Sequence, residues 1–404
     1  MGSPVPTFVG FAPLSGSIYF YESFGGVIKA VLKTRNKIFM TKRLLHLAAW
    51  CIAVTGSACA QTTPPAASGG FCPPIAIGAD VSFLPEAEAK GDVFSDEQGP
   101  RPALDILRRH GYGWVRLRLF NHPTTLPNDL AYTLAEGKKA KALGLGVVLD
   151  FHYADDWADP QHQPVPAAWA KLKHPQLVQA TFEFTRDTLA RFRAEGVMPN
   201  MVQIGNEVAS GMMWPDGKLP DNWTNFDDLL LAAARGVAEG SKPDRHPPIM
   251  IHIDQGGNRE TTQWFFSHVI AAGVPFDVIG QSYYPWWQGS ISDLKENLAF
   301  MANEYKKPIV VIETAYSWAP QNYIKKRAPF PETPEGQAEF LKTVAQAVAA
   351  TPQGLGKGVF WWEPAVDGSH SDLIPRALFD DKGRALPAMH VFDACMAAPP
   401  ADKH

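Results

Sequence analysis

Short apolar runs alternate with longer amphipathic stretches along most of the chain, and the alternation repeats eight times. The runs Ile75–Val81, Trp114–Phe120, Gly146–Phe151, Met201–Asn206, Ile249–Ile253, Val278–Ser282, Ile309–Ile312 and Gly358–Trp362 are predicted strands. Between them the pattern predicts helices over Ala103–Arg109, Leu130–Ala142, Leu177–Ala194, Phe226–Glu239, Glu260–Ala272, Ile291–Tyr305 and Glu335–Ala350. Apolar strands separated by helices argue for a parallel sheet covered on both faces. Eight such units over residues 72–396 predict an α/β fold, a single (β/α)8 TIM barrel. A doubly wound sheet fits less well, because no Gly-rich dinucleotide fingerprint follows the first strand. No Pro/Ser linker interrupts this span, so it reads as one domain.

The ends of the chain carry a different pattern. Met40-Thr41-Lys42-Arg43, the apolar run from Leu44 to Val54 and Ala58-Cys59-Ala60 together read as a signal peptide over 40–60. Residues 1–39 read as an upstream extension, with Met40 the expected initiator; 61–71 form a Pro/Gly-rich linker and 397–404 a tail. The apolar run is too short to span a membrane, so a secreted or periplasmic protein is expected. Lipid attachment at Cys59 is disfavoured, because Gly56 stands where such a motif wants a larger apolar residue. Cys72 and Cys395 remain in the body, one before the first strand and one near the end of the last helix. A closed barrel brings those ends together, and an exported chain can keep a disulfide, so a Cys72–Cys395 bridge is expected; two unrelated buried thiols are the alternative.

Composition adds two constraints. A formal charge of −4 with no basic stripe argues against a nucleic-acid partner. The 12 tryptophans fill cores, but they also supply flat faces on which sugar rings stack. A monomer is expected.

Polar and aromatic residues gather just after the predicted strands, where a parallel barrel places its active site. They include Asp80 after the first, Arg116 and Arg118 within the second, and His152, Asp155, Asp156, Trp157 and Asp159 after the third. Asn206 and Glu207 close the fourth strand, and His252 and Asp254 belong to the fifth. Tyr283, Tyr284, Trp286 and Trp287 follow the sixth; Glu313 closes the seventh and Trp361, Trp362 and Glu363 the eighth. Alternation puts Arg116 and Arg118 on one face, and buried arginines there need carboxylate partners.

Gln203-Ile204-Gly205-Asn206-Glu207 and Val310-Val311-Ile312-Glu313-Thr314 are apolar runs that each reach a glutamate. An unpaired buried charge is costly, so a carboxylate there suggests chemistry rather than packing. Hydrolysis of a glycosidic bond needs one carboxyl to protonate the leaving oxygen and another on the opposite face of the sugar, about 5–5.5 Å away when the second attacks carbon. Glu207 is the expected acid/base and Glu313 the expected nucleophile, held ionised by Arg116 and oriented by a tyrosine hydroxyl, most simply that of Tyr283. Asn206 is expected to hydrogen-bond the sugar's 2-hydroxyl. Glu363 suits a structural ion pair or a substrate contact. His152 and His252 lack paired metal-ligand spacing, so contact with substrate or with the surroundings of Arg116 is expected of them.

Taken in order, Gly78-Ala79-Asp80-Val81-Ser82, Val115-Arg116-Leu117-Arg118, Leu149-Asp150-Phe151-His152, Asp156-Trp157-Ala158-Asp159-Pro160, Ile204-Gly205-Asn206-Glu207, Met250-Ile251-His252-Ile253-Asp254, Ser282-Tyr283-Tyr284-Pro285, Val311-Ile312-Glu313-Thr314 and Trp362-Glu363-Pro364 resemble the endo-β-1,4-galactanases of glycoside hydrolase family 53. The resemblance runs from about residue 75 to 393. It implies a clan A barrel, a retaining mechanism, and activity on the β-1,4-galactan side chains of pectin and on type I arabinogalactan. It places the acid/base on Glu207, the nucleophile on Glu313 and the nucleophile's arginine on Arg116. Cleft residues fall on Asp80, His152, Trp157, Asn206 and Trp362, and Asp254 is expected to bind substrate or support the site. Bacterial members often hold calcium in the loop after strand seven. Here Tyr316–Arg327 offers no acidic ligand and three consecutive cations, so no calcium site and no cofactor are expected. The same two-glutamate apparatus would also suit another clan A endoglycanase acting on xylan, mannan or β-glucan. A non-catalytic glycan-binding barrel is the remaining alternative.

Overall fold

The computed structural model of the protein describes residues 71–321, 328–366 and 368–397. The expected upstream extension, signal peptide and linker up to Gly70 lie outside the described residues, as do the tail from Ala398 and Asn322–Arg327.

Eight parallel strands close into a barrel: β1 (Ala76–Asp80), β2 (Trp114–Leu119), β3 (Gly146–Phe151), β4 (Met201–Ile204), β5 (Ile249–Ile253), β6 (Val278–Tyr283), β7 (Ile309–Thr314) and β8 (Gly356–Trp362). Each strand pairs with its sequence neighbours, and β1 closes the ring on β8 through Ala76↔Gly358 to Asp80↔Trp362. The outer layer is α1 (Ala103–Arg109), α2 (Leu130–Ala142), α3 (His174–Ala194), α4 (Trp223–Ser241), α5 (Arg259–Ala271), α6 (Ile291–Tyr305) and α7 (Pro334–Ala349). The eighth unit ends instead in a 3-10 helix, Pro387–Phe392, followed by the short helix Ala394–Ala397. Helix starts are fixed locally. Asp129, Asn258, Ser290 and Thr333 each accept a backbone N–H of the first turn, satisfying a donor the helix leaves open.

Strand alternation divides the core into two layers. Val148, Met250, Val278, Val310, Ile312 and Phe360 fill the barrel interior. Gly78 makes room there, because a Cβ at that position would collide with the Phe360 ring. The larger cluster lies between strands and helices and contains residues such as Val147, Phe151, Phe192, Phe226, Ile251 and Phe340. Burying each such side chain contributes about 1.5–3 kcal/mol. Among the described residues no helix is long and apolar enough to cross a membrane.

Cys72, four residues before β1, is bonded to Cys395 in the last helix, with a Cα–Cα distance of 4.9 Å. The bridge closes the ring from the outside, as the positions of the two cysteines predict.

Candidate active site

The carboxyl ends of the strands surround a cleft of about 580 Å³. Its floor is made by inward residues of consecutive strands, because in a strand every second side chain shares a face. Asp80, Arg116, Asp150, Gln203, His252 and Ser282 all follow that alternation and bond to one another or to the residues above them.

Arg116 is the centre of this floor. Its Nη1 lies 2.8 Å from Asp80 Oδ2 and 2.6 Å from Glu313 Oε1, while Nη2 lies 2.8 Å from Asp150 Oδ2 and 2.7 Å from Asn206 Oδ1. Its Nε donates to Gln203 Oε1 at 3.2 Å. Although burial opposes its charge, Asp150, Glu313 and Asp80 raise the guanidinium above its ordinary pKa. Arg118, two residues on, pairs with Glu363 at 3.2 Å and stacks against Trp157 and Phe83. Glu363 is thus a structural ion-pair partner, one of the two roles expected for it; burial pushes its carboxyl well above the usual range.

Glu207 reaches the cleft through a strained turn. Gly205 has φ 89°, and Glu207 itself sits in the left-handed region at φ 49°, ψ 48°. Such backbone is held at a cost and concentrates where side-chain aim matters. Its Oε1 lies 2.6 Å from Ser282 Oγ. Burial, then the charges of Glu313 and Asp254, push its carboxyl well above the usual glutamate range.

Glu313 is aimed by an irregularity in β7. The register runs Gln281↔Val311 and then Ser282↔Glu313, so Ile312 is an extra residue. Simple alternation after the inward Val310 and Ile312 would send Glu313 outward; the bulge turns it back over the floor. Its Oε1 meets Arg116, and Tyr284 Oη donates to Oε2 at 3.3 Å. Burial raises this carboxyl too, while Arg116 pulls it down. Of the two acids, Glu313 therefore ionises first.

The expected tyrosine is corrected by one position. Ser282 points inward, so alternation sends Tyr283 outward, where its ring stacks on Phe340 and its hydroxyl donates to the Gly289 carbonyl. Tyr284 stands on the inward side and supplies the hydroxyl at Glu313. Asp80 is likewise behind the cleft wall, fully buried between Arg116 and Ser82, rather than facing the open space. His152, Trp157, Asn206, Asp254 and Trp362 do line the cleft. Both nitrogens of His152 are engaged within the protein, with Asp150 Oδ2 at 3.0 Å and the Ala158 N–H at 3.1 Å. It offers the cleft ring carbons rather than a polar atom. Asp254 is different: its Oδ1 is buried with no hydrogen-bond partner among the described residues.

Tyr284 stands in the sequence among the aromatic residues after the sixth strand without an expected role, and none is expected of Asp150, Gln203 or Ser282. Alternation from His152 finds Asp150 on the same strand; Gln203 and Ser282 follow only from the register between strands. Arg376, on the loop after β8, also lines the cleft, and no local pattern announces it.

Glu97, His110 and His390 are the one group of metal-binding residue types that lie close together among the described residues. None lines the cleft. Asp393 takes His110 Nδ1 at 2.6 Å and His390 Nδ1 at 3.1 Å, so one carboxylate already engages both histidines. The loop after β7, in which no calcium site is expected, lies partly outside the described residues, at Asn322–Arg327.

The sequence pattern of glycosyl hydrolase family 53 matches residues 76–392. An arabinogalactan endo-beta-1,4-galactanase of Thermothelomyces thermophilus is 36% identical over 332 residues, covering 78% of this chain and 98% of that protein. One of the same description from Cellvibrio japonicus is 33% identical over 348 residues, covering 80% and 91%. Among solved structures, the Ignisphaera aggregans GH53 catalytic domain superposes with a TM-score of 0.74 at 34% identity, covering 80% of this chain and 96% of that one. A fungal beta-1,4-galactanase gives 0.72 at 34% identity, covering 78% and 98%.

Proposed function

The chain belongs to glycosyl hydrolase family 53, and from that premise we propose that it is an endo-acting, retaining β-1,4-galactanase that cleaves galactan and type I arabinogalactan. The observation that carries the mechanism is the asymmetry of two buried glutamates in one cleft. Glu313 is held by a guanidinium and Glu207 by a serine hydroxyl.

In this reading Glu313, ionised against Arg116, attacks the anomeric carbon. Glu207, protonated, gives its proton to the departing glycosidic oxygen. A water then enters, loses a proton to Glu207 and releases the sugar from Glu313 with the original configuration. Asn206 spends its Oδ1 on Arg116 and one amide hydrogen on the Ala158 carbonyl, which leaves the second hydrogen for the sugar's 2-hydroxyl. The free Oδ1 of Asp254 suits a further hydroxyl. Trp157, Trp287 and Trp362 supply apolar faces for galactose rings. The two carboxyls supply the acid and the nucleophile, so the chemistry needs no cofactor. An exported monomer remains the expected form.

Release of reducing ends from linear β-1,4-galactan, compared with xylan, mannan and carboxymethyl cellulose, tests the substrate. Preference for one of the latter three would instead favour another clan A endoglycanase, and galactan binding without cleavage would favour a glycan-binding barrel.

A further inference from the structure

We propose that Ser282 and His252 are positioning residues that hold Glu207 in its protonated form before each glycosidic cleavage. The proposal rests on the acid/base role given to Glu207 above and names what sustains that role.

The argument is a count of hydrogens. Asn206 Oδ1 accepts from Arg116 Nη2 at 2.7 Å, which fixes the orientation of that amide. His252 Nδ1 lies 3.0 Å from the same oxygen and must therefore donate to it. Gln203 Nε2 is also 3.1 Å from Nδ1, but its two hydrogens have better acceptors in Asp150 Oδ1 at 2.6 Å and the Gly205 carbonyl at 3.0 Å. His252 is fully buried, and burial with the charges of Arg116 and His152 holds it well below its ordinary pKa, hence neutral. A neutral ring with its proton on Nδ1 has a bare lone pair on Nε2.

Ser282 Oγ lies 2.8 Å from that Nε2 and 2.6 Å from Glu207 Oε1. A hydroxyl has one hydrogen to give. If the hydrogen goes to Nε2, the contact with Glu207 is satisfied by a protonated carboxyl donating to Ser282. Every group in the chain Glu207, Ser282, His252, Asn206 then has a partner. If Glu207 ionises, the carboxylate and Nε2 compete for one hydrogen, and a buried acceptor is left unmet. The network thus disfavours the ionised acid. Other groups face Glu207 as well: Glu313 from β7, Asp254 just after β5, Tyr284 after β6 and Arg116 from β2. The first two also oppose ionisation and Arg116 favours it, as Ser282 would if its hydrogen went to the carboxylate, so the serine's contribution must be isolated by mutation.

The direction of the serine hydrogen sets the sign of the test. With linear β-1,4-galactan, the alkaline limb of kcat/KM against pH is measured for wild type, Ser282→Ala and Ser282→Thr. The expected result is a limb about one pH unit lower in Ser282→Ala, with Ser282→Thr restoring the wild-type position. A limb that is unmoved, or that moves upward as it would if the hydroxyl donated to a carboxylate, overturns the proposal. A second measurement needs neither mutation nor turnover. In 15N-histidine-labelled wild type, NMR should show His252 as the neutral Nδ1–H tautomer; an Nε2–H tautomer or an imidazolium overturns it. A wild type inactive on galactan would count against the proposed function, and the tautomer would still decide this inference on its own.

Discussion

Nη1 of Arg116 stands 2.6 Å from Oε1 of Glu313, and the same guanidinium holds Asp80 and Asp150 at 2.8 Å each. One cation therefore serves three buried carboxylates, two of which never reach the cleft. Asp80 and Asp150 fix Arg116 in place, and Arg116 fixes Glu313.

Arg116→Lys should accordingly damage both rate and stability. Lysine is a point charge that cannot reproduce the fork on Asp80, Asp150 and Glu313 together. The expected loss in kcat on galactan is about 10²–10³-fold, as for other preorganised charge contacts. Leaving buried carboxylates short of a partner should cost about 3–5 kcal/mol, read as a lower denaturation midpoint. A variant with an unchanged midpoint would show that Arg116 is not the anchor of the floor.

Tyr284→Phe and Tyr283→Phe separate two neighbouring hydroxyls. The first removes the donor to Glu313 Oε2 and should lower kcat about tenfold or more with little change in stability. The second removes a bond to the Gly289 carbonyl, costing about 1 kcal/mol of stability and leaving kcat near wild type. Steady-state kinetics and melting of the two proteins would expose a reversal.

Much of this arrangement was legible in the chain. The eight apolar runs mark the eight strands to within a residue or two at each end, because a strand covered on both faces is apolar along most of its length. Arg116 and Arg118 were placed correctly by the same alternation that, followed along β6, separates Tyr283 from Tyr284. The aim of Glu313 was not legible. It depends on the extra residue Ile312, and a bulge shows in the pairing of β6 with β7 rather than in either strand alone. The left-handed turn at Glu207 was hidden for a similar reason, since only Gly205 hints at it. Arg376 arrives on a long loop after β8, whose path the local pattern does not fix.

The activity–pH profile should be a bell with both limbs displaced upward. Glu313 must be ionised, so activity falls as pH drops through its raised pKa; Glu207 must be protonated, so activity falls as pH rises through a pKa raised further. The limbs belong to the coupled pair rather than to either residue. Measured kcat/KM on galactan that climbs to an alkaline plateau would contradict a protonated Glu207.

Removing the Cys72–Cys395 bridge with Cys72→Ser and Cys395→Ser should lower stability by about 2–4 kcal/mol. The bridge ties the segment before β1 to the last helix, and neither cysteine lines the cleft. Turnover at 25 °C should therefore stay near wild type while the melting temperature falls. A loss of activity without a loss of stability would be inconsistent with a purely closing role.

The division of labour between the two glutamates is tested most directly by trapping. A 2-deoxy-2-fluoro-β-galactobioside with a good leaving group should form a glycosyl–enzyme that turns over slowly, and peptide mapping by mass spectrometry locates the sugar. The expected label is on Glu313. A label on Glu207, or rapid hydrolysis of galactan whose first-formed reducing ends are α-configured, would contradict the mechanism.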